Sequence, residues 1–116
     1  MTYYRLPEGR VAYFDVDDTL VEWKEPKDDM CSITVEMNGR KLKRKMICSH
    51  VQELKRQAEA GTKIIVWSAG GVAWAEACVK ALKIGGYVDA ILTKPDRYYD
   101  DKDVNEWFPK RRYFNE

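Results

Sequence analysis

Cysteine is scarce in this chain and poorly spaced for metal or disulfide work. Cys31, Cys48 and Cys78 are odd in number and none stand in Cys-x-x-Cys spacing, which argues against a disulfide framework or a zinc site. Histidine is scarcer still: His50 is alone and reads as a solvated helix residue rather than a ligand. Long apolar runs are missing, so nothing approaches membrane-spanning length, and Met1 to Arg10 has no apolar segment of signal-peptide type. An excess of one charge is missing too. Lys and Arg number 20 against 19 Asp and Glu, a net charge of +1, so bulk electrostatics points to neither nucleic acid nor membrane. There is no internal repeat, low-complexity segment or dividing linker. A reducing, cytoplasmic setting with no membrane partner is the resulting expectation.

The chain does have the composition of a folded protein. Hydrophobic residues make up 45% and aromatics 12%, values of a globular rather than a disordered chain. At 116 residues, one domain over positions 1–116 with a single modest core is expected.

The rest is organised around Val11-Ala12-Tyr13-Phe14-Asp15-Val16-Asp17-Asp18-Thr19-Leu20. Its first half reads as a buried strand, which then stops in carboxylates. Clustered like charges repel and cost desolvation; a hard divalent cation, which takes carboxylate oxygens as ligands, offsets that cost. Asp15 and Asp17 are two apart, so in an extended conformation their side chains share a side. One can attack while the other handles a proton. The plain alternative is an acidic loop after a strand.

Further along, Ile33 to Met37 and Arg40 to Lys45 alternate around Asn38-Gly39, the strongest short hairpin signal, because a type I′ turn needs positive φ at both central residues. The turn sets Val35 opposite Leu42, with Ile33, Met37, Arg40 and Arg44 on the same face and Thr34, Glu36, Lys41 and Lys43 on the other. A helix follows, with Ser49 and Gln52 as a capping box and Gly61 at its C-terminal end. Lys63 to Trp67 is a continuous apolar run of the central-strand kind, ending in Ser68-Ala69-Gly70-Gly71. A second helix is expected from Val72 to Lys83, stopping at Gly85-Gly86. A third strand is expected over Val88 to Leu92, a short fourth over Arg97 to Tyr99, and one helical turn around Val104 to Trp107.

Strands alternating with helices imply right-handed crossovers and a parallel sheet covered on both faces, with the site beyond the carboxyl ends of the strands. Each such end carries a polar group: Asp15 and Asp17, then Ser68, then Lys94, then Asp100-Asp101. Four positions far apart in the chain agree on one edge.

Asp15-Val16-Asp17-Asp18-Thr19 after a hydrophobic strand resembles the first motif of the haloacid dehalogenase (HAD) superfamily. Ile64-Ile65-Val66-Trp67-Ser68 is similar to its second motif, Lys94 to its third and Asp100-Asp101 to its fourth, so the resemblance runs over roughly residues 10 to 101. It implies an α/β fold, a three-layer sandwich with a short central parallel sheet of Rossmann-like type, and a β-hairpin flap over about residues 31–46. It also implies a Mg²⁺-dependent phosphomonoesterase. Asp15 would be the nucleophile that forms an aspartyl-phosphate, and Asp17 the acid and then the base. Asp15, Asp17 (through its backbone carbonyl) and Asp100 would hold Mg²⁺, with Asp101 a further ligand or the group orienting a metal-bound water. Ser68, Ala69 and Gly70 would hold phosphoryl oxygens, and Lys94 would steady the transition state.

Each assignment has a plainer counterpart. Ser68 could simply cap the helix that follows, and Asp100-Asp101 could be a solvated turn. Asp18, Asp28, Asp29 and Asp103 read as solvated charges. Trp23 and Trp67 read as core, with substrate contact as the alternative.

Between Glu22 and Met46 there is room for a flap only, and between Leu92 and Lys94 for nothing, so the chain resembles a capless member with an open site. An open site suits a large phosphorylated substrate such as a nucleotide or a polynucleotide end; for small molecules a second subunit, in a homo-oligomer, could close it. Five cations in Arg40 to Lys45 either attract a polyanion or protect an edge strand. Two other expectations stand beside the phosphatase: a phosphate- or nucleic-acid-binding module without turnover, and a phosphotransferase. A pure binder has no need of a general acid, and an open site does not exclude water.

Overall fold

A computed structural model describes residues 9–108. The elements run β1 (Val11–Asp15), β2 (Ser32–Met37), β3 (Arg40–Lys45), α1 (Cys48–Glu59), β4 (Lys63–Ser68), α2 (Val72–Leu82), a 3₁₀ turn (Gly85–Tyr87), β5 (Ala90–Thr93) and α3 (Val104–Trp107). β1, β4 and β5 form a parallel sheet in the order β1-β4-β5, while β2 and β3 form a separate antiparallel hairpin. This is a small α/β fold. No helix among the described residues is long and apolar enough to cross a membrane.

The core forms because alternate strand residues meet the apolar stripes of both long helices. Phe14 and Val16 from the first strand region, and Ile64 and Val66 from β4, pack with Val51 and Leu54 of α1 and with Trp74, Ala75, Cys78, Val79 and Leu82 of α2. The helix residues recur at the spacing that gathers one face, and the strand residues at period two. Central β4 is buried on both faces, since Ile65 points away from this cluster and is still only 1% exposed.

Both long helices therefore lie on one face of the sheet, which corrects the expectation of helices on both. The reason is topological. The strands are added in one direction, β1 to β4 to β5, and right-handed crossovers taken in one direction deliver their helices to one side. On the other face Tyr13 packs on Trp67 with ring centroids 4.4 Å apart and meets Phe108 edge-on at 6.3 Å; Phe108 stacks on Trp107. That contact packs Phe108 on the sheet; the tail from Pro109 to Glu116 and the lead-in before Gly9 lie outside the described residues.

The hairpin has the expected register, with Val35 opposite Leu42 and Met37 opposite Arg40. Asn38 and Gly39 have φ of 53° and 74°, the pair of positive values that a type I′ turn demands. Val35 is fully buried, so the hairpin is anchored on the body of the protein. Hydrogen bonds from Glu22 N to Lys45 O, Met46 N to Cys31 O and Ile47 N to Leu20 O pin its base.

Three local expectations change. α1 begins at Cys48 after Ile47, with no side-chain cap, so Ser49 lies in the first turn and forms no capping box with Gln52. The Ile47–Leu20 backbone bond fixes where the chain leaves β3, and this long-range contact overrides the local cap. Gly61, at φ 92°, does follow the helix end as expected. The third strand starts at Ala90, because Asp89 is used otherwise: its Oδ2 accepts from Ile64 N at 2.8 Å. No fourth strand forms at Arg97 to Tyr99, where the chain is irregular and exposed, with Tyr99 91% exposed. A lone Arg-Tyr-Tyr has too few apolar groups to bury a sheet edge.

Candidate active site

The carboxyl ends of the three parallel strands are level. Asp15 pairs with Trp67, and Ser68 with Thr93. Asp15 therefore ends β1 beside the ends of β4 and β5, and Lys94 follows β5 directly. Lys94 Nζ lies 3.9 Å from Asp15 Oδ1, and Lys94 N donates to Ser68 O at 2.8 Å. Residues 79 positions apart in sequence (94 − 15) thus meet at one edge.

After Asp15 the chain winds around one carbonyl. The amides of Thr19, Leu20 and Val21 all donate to Val16 O, at 3.2, 2.8 and 3.1 Å. Val16, Leu20 and Val21 are fully buried, and this apolar foot holds the turn. Asp18 takes the left-handed φ of 60°, a conformation that Asp tolerates better than most residues, and its Oδ1 accepts from Trp23 N at 2.9 Å. Asp18 is accordingly an exposed turn residue. The turn leaves Asp17 half-buried, facing inward.

Asp17 Oδ1 accepts a hydrogen bond from Trp74 Nε1 at 2.9 Å. Burial pushes the Asp17 carboxyl above the usual carboxylate range; the neighbouring Asp15 and Asp18 add to this, while the Trp74 hydrogen bond and the Arg44 charge oppose it. Desolvation and like charge both disfavour the ionised form. A carboxyl so placed is suited to holding a proton and giving it up.

Ser68 is fully buried. Its Oγ accepts from Gly70 N at 3.0 Å and its carbonyl from Gly71 N at 3.1 Å, so it shapes the turn before α2. It does not cap that helix: the cap residue is Gly71, and Val72 N donates instead to Thr93 Oγ1 of β5 at 3.1 Å. The Ser68 hydroxyl retains its own proton to donate. Ala69 and Gly70 are exposed at the apex of the turn. A Cβ at Gly70 would meet Ser68 Oγ at 3.3 Å, tighter than ordinary contact, and would touch Trp74 Cδ1 at 3.4 Å, so glycine there leaves the Ser68 hydroxyl its room.

Asp100 and Asp101 are not drawn into this group. They are exposed in the segment after β5, and Asp100 Oδ1 accepts from Lys102 N at 3.0 Å within a local turn. Among the described residues no three His, Cys, Asp or Glu side chains gather closely enough to hold a metal ion. Trp67, read as core with substrate contact as the alternative, packs against Tyr13.

Two contributors escaped the sequence reading. Trp74 is not marked by any local pattern, and nothing in its surrounding sequence shows that its indole N–H meets Asp17. Arg44 was placed on the apolar hairpin face, but its destination depends on the hairpin's docking. Its guanidinium carbon lies 5.4 Å from the Trp23 ring and 5.6 Å from the Trp74 ring, within cation–π range of both, and the two indoles meet edge-on at 6.4 Å. The three flap lysines have local partners: Lys41 with Glu36, Lys43 with Asp29 and Lys45 with Asp28. Asp28 and Asp29 thereby offset the basic strand. Compared with known proteins, the chain matches no family model, and no curated protein matches it.

Proposed function

We propose that this protein is a phosphomonoesterase of haloacid dehalogenase type that works through an aspartyl-phosphate on Asp15. The observation that supports this most is the meeting of Asp15, Asp17 and Lys94 at the carboxyl edge of a parallel sheet, with Lys94 Nζ 3.9 Å from Asp15. Asp15 attacks phosphorus and the ester oxygen leaves. Asp17, whose carboxyl is raised by burial, gives that oxygen its proton. As a carboxylate, Asp17 then takes a proton from the water that cleaves the acyl phosphate, which restores Asp15 and releases phosphate. Lys94 carries positive charge to the place where phosphoryl charge develops, and the buried Ser68 hydroxyl supports the turn that borders it.

A hard cation suits the donor chemistry of Asp15 and of the Asp17 backbone carbonyl. Magnesium is commonly held by one or two carboxylates together with water and substrate phosphate. Those two residues would hold it, and when bound it supplies charge neutralisation to the phosphoryl group. Asp100 and Asp101 stand apart from this pair, and no step here depends on them.

The pairing of Lys41, Lys43 and Lys45 with neighbouring acids weakens the case for a polyanion drawn to the flap. Nucleotides and other compact phosphomonoesters are the preferred substrate class, ahead of polynucleotide ends.

The test is phosphate release from p-nitrophenyl phosphate, mononucleotides and 3′- or 5′-phosphorylated oligonucleotides, with Mg²⁺ or EDTA, beside Asp15→Asn. Metal-dependent release that Asp15→Asn abolishes is the expected result. Silence on every substrate from folded, Mg²⁺-supplied protein would favour a binding module, and transfer to an added alcohol in preference to water a phosphotransferase.

A further inference from the structure

We infer that Cys31 and Cys48 are a modification site: a dithiol pair that closes into a reversible intramolecular disulfide across the base of the β2–β3 hairpin. The thiols point at one another, with Cys48 Sγ 3.2 Å from Cys31 Sγ. A disulfide bond is about 2.05 Å long, so bonding needs only about 1.2 Å of further approach. Both residues are exposed, so a dissolved oxidant reaches either one. Cys78 is buried and cannot compete.

The backbone holds the pair in place without help from the sulfurs. Met46 N donates to Cys31 O at 2.8 Å, and Ile47 N, one residue before Cys48, donates to Leu20 O at 2.9 Å. Cys31 also has a left-handed φ of 57°, where Gly or Asn would sit with less strain. Odd number and wide spacing argued against cystine at the level of sequence. The hairpin supplies what spacing could not, by folding residues 17 apart onto each other.

With a small-molecule disulfide as oxidant the step balances. One cysteine thiolate attacks a sulfur of R–S–S–R and expels R–S⁻; the second cysteine displaces the other R–S⁻ from the mixed disulfide. Both electrons and both thiol protons end on two R–SH, and Cys31–Cys48 is left oxidised. The covalent loop encloses the whole hairpin, including Arg44, whose guanidinium lies over Trp74, the donor to Asp17. Oxidation therefore stiffens the element that bears on the site. The inference stands whether or not the chain is a phosphatase.

The experiment is titration of the full chain with oxidised glutathione, followed by intact mass, thiol counting in denaturant and mapping of non-reduced peptides. Free thiols are expected to fall from three to one. The mass should drop by about 2 Da, with a peptide joining Cys31 to Cys48, and dithiothreitol should reverse the change. The melting temperature should rise by about 10 °C on oxidation, and β2–β3 amides should exchange more slowly. Cys48→Ser should stop at a glutathione adduct on Cys31 and Cys31→Ser at one on Cys48, neither with the thermal gain. Stable glutathione adducts on both cysteines of the unaltered chain, covalent dimers, or three surviving thiols would each overturn the inference.

Discussion

Trp74 donates its indole N–H to Asp17 Oδ1 at 2.9 Å, joining residues 57 positions apart. The bond ties the first turn of α2 to the turn that follows β1. Arg44 lies over the same indole, so hairpin, helix and acid form one contiguous arrangement. A carboxyl free to rotate would present either oxygen to a leaving group; one held by an indole presents the other.

Trp74→Phe keeps a ring in the core and removes the donor. On an alkyl phosphomonoester, whose leaving oxygen needs a proton, kcat should fall about 10- to 100-fold. On p-nitrophenyl phosphate, which leaves without one, the loss should stay within about threefold. Steady-state kinetics on both substrates checks this. Equal losses would reduce Trp74 to a packing residue.

Asp17 also links stability to pH. Its carboxyl is raised in the folded state, by burial first, so the folded protein holds that proton more tightly than the unfolded chain. The resulting stabilisation is complete below the unfolded value of 3.8 and is lost as pH rises through the higher folded value. At neutral pH an ionised Asp17 is therefore a liability in metal-free protein. In EDTA at pH 7, Asp17→Asn should melt higher than the parent, and the gap should close as pH falls to about 4. Thermal denaturation across that range decides the sign.

Lys94 should matter for turnover and little for folding. Its pair with Asp15 is at 3.9 Å with side chains 43% and 33% exposed, a geometry in which ion pairs contribute little, about 1 kcal/mol or less. Lys94→Met should leave the urea midpoint nearly unchanged while lowering kcat about 10²- to 10³-fold. A large loss of stability with unchanged kcat would give the lysine a structural role only.

Burial pushes the Cys78 thiol up to about 12, and the thiolate is the reactive form. At pH 8 iodoacetamide should label Cys31 and Cys48 and spare Cys78 until denaturant is added. Peptide mapping after timed alkylation reads this directly.

The features legible in the sequence were those written in short-range patterns. Asn38-Gly39 specified the hairpin turn because its backbone angles are a property of two residues. Lys63 to Trp67 read as a central strand because a strand covered on both faces is apolar throughout. Asp15, Ser68 and Lys94 could be assigned to one edge because every parallel strand ends on the same side. The same reasoning failed at Arg97 to Tyr99, where a strand-like composition had no neighbour to pair with. It failed again at Ser49, where a backbone bond from Ile47 to Leu20 set the helix start.

By itself, then, the chain determined its alternation of strands and helices, its turns, and the order in which carboxylates, serine and lysine reach the strand ends. These follow from backbone sterics and from hydrophobic periods of two and 3.6, which act over a few residues. Only the tertiary structure decided that both long helices share one face, that Thr93 caps α2, that Trp74 holds Asp17, and that Cys31 meets Cys48. Such contacts depend on the hand and direction of crossovers and on how the hairpin docks. No local pattern encodes either, because the residues that meet are brought together by the packing of the whole core.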